Sequence, residues 1–269
     1  MRLLGFRGTA TAGGRSRTGQ GLSASGASGR GRCGTSRGVE PSPDPPRTAV
    51  AVVLAETADW LVLAKPAGWH TVRGKTDAAD GGGGVVETWL ATSRPELASL
   101  PESGLVHRLD RDTSGCLVVA KDPAAYERLR AAFAAATGLR KIYLCRAKPG
   151  LPSDDRATLF FASRHKGSAK VTVRESGEPR EAGRLRWRVL DRAAGGDLVE
   201  VELIGPGRRH QIRAGLAYLG HPLVGDELYG GGAGTPLLHA WKVEVDGTEV
   251  EAPKPAWVSF DETGHRSPA

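Results

Sequence analysis

From residue 50 onward the chain reads as short apolar runs divided by polar turns. Val50, Val52, Val53 and Leu54 predict one strand, and Trp60 to Leu63 a second, joined by a short turn. DGGGG (80–84) predicts a flexible loop, and GVVETWLATSRPEL a short helix with Val86, Trp89 and Leu90 on one face. Cys116 to Ala120 predicts a buried strand. Asp122 then offers an N-cap, Pro123 a first helical position, and Tyr126, Leu129, Arg130 and Phe133 a helical spacing that stops at Gly138. KIYLCRA begins another strand. ATLFFAS, AKVTVRE, GRLRWRVLD and DLVEVELIG follow as an antiparallel meander, then a short helix over HQIRAGLAYLG, and strands near LLHAWKVEVDG and WVSF. Strands and helices do not alternate, so the pattern predicts an α+β fold: a mostly antiparallel mixed sheet with a few flanking helices.

Composition changes this picture at the ends. Residues 1–39 are Gly-, Ser- and Arg-rich with little apolar periodicity, and EPSPDPPR (40–47) reads as a spacer. Such a segment cannot bury enough surface to offset its ordering entropy. The expected organisation is a disordered tail and linker over 1–48, one catalytic-size domain over 49–262, and a disordered end over 263–269. No further RNA-binding module of the S4 type is expected before the domain. The tail resembles an organellar transit peptide in lacking acids, but its glycines argue against an amphipathic helix.

The net charge of +7 resides in that tail. Residues 1–39 hold seven arginines and no lysine or acid; without them the 37 basic residues fall to 30, equal to the 30 acidic ones. Nucleic-acid binding by the body must therefore come from local clusters. Cys33, Cys116 and Cys145 show no metal or disulfide spacing and read as reduced thiols. The histidines have no zinc-site spacing, so no metal is expected. No run reaches the length of a membrane span.

The chemistry concentrates in LVHRLDRDTSGCLVVAKD (105–122), where Arg108, Asp110, Arg111 and Asp112 lie between two apolar runs. Thr113, Ser114 and Gly115 form a turn whose hydroxyls and amides can bond the carboxylates. Two other segments offer partners. Tyr143 lies in a strand between Ile142 and Leu144. Gly-Pro-Gly, Arg208, Arg209 and His210 open a helix, with Arg213 on nearly the same face. Arg213 could hold a carboxylate such as Asp110, or contact RNA phosphates. GHPLVGDELYGG is longer than a helix-to-strand connection needs.

KPAG (65–68), VHRLDRDTSG (106–115), KIY (141–143), GRRHQIR (207–213), GHPLVGDELYG (220–230) and LHA (238–240) together resemble the RluA-type RNA pseudouridine synthases. The resemblance runs from about residue 50 to 260. It implies the fold of those enzymes, with a central RNA-binding cleft, and isomerisation of uridine to pseudouridine in ribosomal RNA or tRNA. It implies no cofactor and no metal. Asp110 would be the catalytic aspartate, Tyr143 would stack on the flipped uracil and serve proton transfer, and Arg213 would pair with Asp110. Ile212 would wall the base pocket and Arg108 would enter the RNA at the vacated position. His107, Leu109, Thr113 and Gly115 would shape the loop, and Arg208, Arg209 and His210 would meet the substrate. A cytoplasmic monomer is expected. Ala214 and Gly215 depart from the family, which usually carries an apolar residue and His there. Two rivals remain: a noncatalytic RNA binder on the same fold, and a glycosidase using Asp110 and Asp112 as paired carboxylates. The intact motif disfavours the first, and the basic GRRHQIR segment, suited to a polyanion, the second.

Overall fold

A computed structural model describes residues 51–74, 84–135, 137–163, 165 and 167–259. The expected disordered tails, most of the DGGGG loop and Cys33 lie outside those residues. Among the described residues the strands form one sheet. It is built from β1 (Val52–Glu56), β2 (Trp60–Lys65), β3 (Ser114–Ala120), β4 (Leu139–Ala147), β5 (Asp154–Ser163), β6 (Val171–Arg174), β7 (Ala182–Asp191), β8 (Asp197–Ile204), β9 (Leu238–Val245) and β10 (Thr248–Glu251). The spatial order is β1-β2-β3-β9-β4-β8-β7-β5-β6, with β10 hairpinned onto β9. Three α-helices accompany it: α1 (Val86–Ser93), α2 (Pro123–Ala135) and α3 (Gln211–Tyr218).

Alternation along β3 divides the core. Leu117 and Val119 join Leu90, Tyr143 and Ile212 on one side, and Cys116, Val118 and Ala120 join Tyr126, Leu129 and Phe133 of α2 on the other. The α2 cap forms as its sequence predicts: the Ala125 N–H donates to Asp122 Oδ1 at 2.9 Å. One expectation fails at the C-terminal end. Trp257, Val258 and Ser259 of WVSF do not form a strand: Ala256–Ser259 is a 3₁₀ turn, and Thr248–Glu251 is the last strand among the described residues. Asp246 and Gly247 both adopt positive φ (50° and 76°), the geometry of a two-residue hairpin turn that folds β10 onto β9. Pro253 and Pro255, which lack amide donors, keep the chain beyond it out of the ladder.

Every strand pair is antiparallel except β3 with β9. That parallel seam pairs only Ser114 with His239 and Gly115 with Ala240. Gly115 sits at φ +109°, and a Cβ there would collide with the Ala240 carbonyl oxygen. Ser114 Oγ meets His239 Nδ1 across the seam at 2.8 Å. The loop before β3 therefore emerges where the two halves of the sheet meet. β4 contributes a second device: its pairing with β9 shifts register between Ile142 and Tyr143, a bulge that re-aims the tyrosine. Gly215, which departs from the family's usual His, has a packing reason. A Cβ there would lie 2.7 Å from Leu185 Cδ1, so glycine lets α3 settle on the sheet.

Candidate active site

The loop over residues 107–113 is tied down from below and presents one carboxylate. Thr71 Oγ1 donates to the Leu109 carbonyl at 2.8 Å and accepts from the Leu109 N–H at 3.1 Å. Lys65, 1% exposed, donates to the carbonyls of Pro66, Trp69 and Arg111 at 3.0, 2.7 and 2.8 Å. Its three N–H groups thus join the KPAG turn to the charged loop. Burial pulls the Lys65 ammonium down to about 7, against the charges of Asp112 and Asp110. Thr113, buried, donates its N–H to the Asp110 carbonyl at 3.1 Å. The expected bonds from Thr113 and Ser114 to the carboxylates are replaced by these ties, because Ser114 turns to His239. Asp112 acts electrostatically on Lys65.

Asp110 keeps 26% of its side chain exposed and faces α3. Its Oδ2 accepts from Arg213 at 3.3 Å, and its Oδ1 lies 3.8 Å from His210 Nε2. The expected pairing with Arg213 is present, but Arg213 has a closer partner. Its Nε and second terminal nitrogen donate to the two oxygens of Asp226 at 2.7 and 2.9 Å. Asp226 is 0% exposed and comes from the loop between α3 and β9. Burial works against the Arg213 charge, but the bonds to Asp226 and the two carboxylates outweigh it and hold the guanidinium charged. Asp226 lies inside GHPLVGDELYG, one of the segments that carry the family resemblance, but the sequence assigned it no role. Tyr229, from the same loop, places its ring 5.5 Å from the Arg213 guanidinium.

Leu109, Tyr143 and Ile212 join the same apolar cluster from three elements. Burial, and then the charge of Asp110, raises the Tyr143 phenol above the ordinary tyrosine range, so it stays protonated. An apolar wall thus stands beside a carboxylate whose orientation an arginine fixes. The other expected site residues divide. Arg108 is exposed on the loop and makes no ion pair among the described residues. Arg208 donates to the Ala182 carbonyl at 2.9 Å. Arg209 donates to the carbonyls of Ser168 and Ala169 at 2.7 and 2.8 Å, so it also anchors a neighbouring loop. His107 sits on the opposite side of the sheet. Its ring stacks on Phe133 at 4.3 Å, and its Nε2 accepts from the Val118 N–H at 2.9 Å.

His107 and His239 are neutral in the fold. Burial, helped by Lys141, pushes His107 down to about 3, and burial pushes His239 down to about 4. Both titrate near about 6.5 in the unfolded chain. The unfolded chain therefore binds more protons below about 6.5, and stability falls as pH drops through that window. At pH 5 the loss is about 2 kcal/mol per ring. Denaturant midpoints at pH 7 and pH 5 should show this fall. His107→Gln, whose amide oxygen can still accept from Val118, should remove about half of it. An equal fall in that variant would exclude His107 as a source.

Among the described residues no group of three or more His, Cys, Asp or Glu is placed to hold a metal ion. Nor is any described helix long and apolar enough to cross a membrane.

A family model described as RNA pseudouridylate synthase matches residues 59–218. Ribosomal large subunit pseudouridine synthase D of Nitrosomonas europaea is 31% identical over 214 residues, covering 72% of this chain and 57% of that protein. Ribosomal large subunit pseudouridine synthase C of Escherichia coli is 37% identical over 189 residues, covering 66% and 53%. The chain thus spans little more than half the length of these relatives. The solved structure of human RNA pseudouridylate synthase domain containing 1 is similar with a TM-score of 0.61 and 25% identity, covering 81% of this chain and 89% of that one.

Proposed function

The chain belongs to the RNA pseudouridylate synthase family, of the RluA type, and on that premise we propose that it isomerises uridine to pseudouridine in structured RNA. The observation that carries the reading is the single guanidinium shared by Asp110 and the buried Asp226, beside the wall of Leu109, Tyr143 and Ile212. A uracil held in a duplex is out of reach of any side chain, so it must leave its stack. Tyr143 and Ile212 then sandwich the flipped base, and Arg108 occupies the space it vacated. The N1–C1′ bond breaks, the ring turns, and C5 bonds to C1′. C5 loses its proton and the freed nitrogen gains one, so the formula is unchanged. Asp110 serves these steps as nucleophile or base. Tyr143, held as a neutral phenol, acts as a stacking surface and hydrogen-bond donor.

Residues 49–262 form the catalytic domain, acting in the cytoplasm as a monomer without cofactor or metal. Large-subunit ribosomal RNA is the first substrate to test, because relatives carry that name. The test is expression in a host stripped of its own enzymes of this type, followed by mapping of pseudouridine in total RNA through carbodiimide adducts. New sites are expected in ribosomal RNA. A folded chain that binds RNA and adds no sites would favour a noncatalytic binder.

A further inference from the structure

We propose that Tyr229 is a positioning residue that fixes the tautomer of His210, so that the imidazole directs an Nε2–H at Asp110. The Tyr229 hydroxyl oxygen accepts the backbone N–H of Val171 at 3.0 Å, which anchors it to β6. Its own proton then needs an acceptor. His210 Nδ1 stands 2.9 Å away, and no other acceptor meets this hydroxyl among the described residues. With Nδ1 accepting, the proton of a neutral imidazole must lie on Nε2.

The opposite edge of the ring specifies the same tautomer. Nε2 lies 3.8 Å from Asp110 Oδ1. An ionised carboxylate only accepts, so an unprotonated Nε2 would set two lone pairs against each other. The groups acting on this ring are Asp110 and Asp226 on one side of the balance and Arg213 and Arg209 on the other; with burial, which is the largest influence, they hold His210 below its ordinary range. The ring is therefore neutral near pH 7, and its tautomer matters.

Backbone geometry also fits this role. His210 holds φ +53° at the start of α3 and makes no side-chain cap bond. A non-glycine residue in that region persists only where its surroundings impose it. Here the ring is carried off the helix end to meet Tyr229 edge-on, with centroids 5.7 Å apart and planes at 88°. Tyr229 thus touches both partners of Asp110: its ring face meets Arg213 and its hydroxyl meets His210. An Nε2–H aimed across the 3.8 Å gap offers Asp110 Oδ1 a donor, as Arg213 offers one to Oδ2.

The test uses the full chain labelled with ¹⁵N-histidine, reading ring nitrogen shifts and their couplings to carbon-bound protons at pH 7. His210→Gln assigns the signal. The wild-type ring is expected as the Nε2–H tautomer, with His107 as an internal contrast in the Nδ1–H form, since its Nε2 accepts from Val118. Tyr229→Phe keeps the ring beside Arg213 and removes only the hydroxyl. It should move His210 to a mixture of tautomers and lower kcat about tenfold with KM for RNA unchanged. A wild-type His210 in the Nδ1–H or doubly protonated form overturns the proposal whether or not the variant folds, as does a Tyr229→Phe spectrum identical to wild type. Only the kinetic arm rests on the proposed activity. A chain that shows the Nε2–H tautomer yet converts no uridine supports the tautomer assignment and counts against that activity.

Discussion

Asp110→Asn is expected to remove pseudouridine formation, a drop of more than about 10⁴-fold in turnover, while leaving the fold and RNA affinity nearly intact. The amide has the shape of the carboxylate and can still accept one bond from Arg213. It lacks the charge and the nucleophilic or basic oxygen that the reaction uses. Asp110 is 26% exposed and takes only the third arm of a guanidinium already held by Asp226, so its charge contributes little to folding. The check pairs adduct mapping with a denaturation curve and an RNA-binding titration. Retained turnover in a folded variant would remove Asp110 from the chemistry. Lost folding would show that the loop needs the charge for its structure.

Asp226→Ala should give the reverse pattern: a loss of stability of about 3–5 kcal/mol, with activity lost as a consequence. Asp226 is 0% exposed and Arg213 is 9% exposed. Removing the carboxylate leaves a buried guanidinium with two donors unpaired, and the cost of a buried unpaired charge exceeds that of a missing surface ion pair. The Asp226 backbone also closes the turn that follows, accepting from the N–H groups of Tyr229 and Gly231 at 3.1 and 2.8 Å. Disorder of the variant's loop should therefore spread to Tyr229. Urea midpoints for wild type, Asp110→Asn and Asp226→Ala decide the matter. If the two variants are equally stable, Arg213 does not depend on Asp226 as its geometry implies.

The same arginine thus serves two carboxylates with opposite roles, and only one of the two was visible in the sequence. Asp110 stood out because charge between apolar runs is chemically unusual, and Arg213 because it shared a helix face with His210. Asp226 lay in one of the family motifs but was given no role, since a Gly-Asp pair in a Gly-rich loop also reads as an ordinary turn. Lys65 opened the KPAG motif at the end of an apolar strand without an assigned role, and Thr71 looked like a loop residue. Each becomes informative once burial is known, because a fully enclosed ammonium or carboxylate must be satisfied by particular partners. His107, expected to shape the loop, does so from the Phe133 side of the sheet, where its Nε2 accepts from the Val118 N–H.

What the sequence determined alone was local: the order of strands and helices, the Asp122 cap on α2, the α+β class and the family motifs. These follow from hydrophobic period, turn chemistry and residue spacing, which act over a few residues. The tertiary structure decided what depends on distant segments meeting. It set the parallel seam of β3 and β9 that only Gly115 permits, the bulge at Tyr143, the ties of Lys65 and Thr71 to the loop that carries Asp110, and the meeting of Asp110, Asp226 and Tyr229 at Arg213. A partner more than a hundred residues away leaves no periodicity in the chain, because hydrogen bonds and charge pairs are chosen by proximity after folding and by the cost of leaving a buried group unpaired.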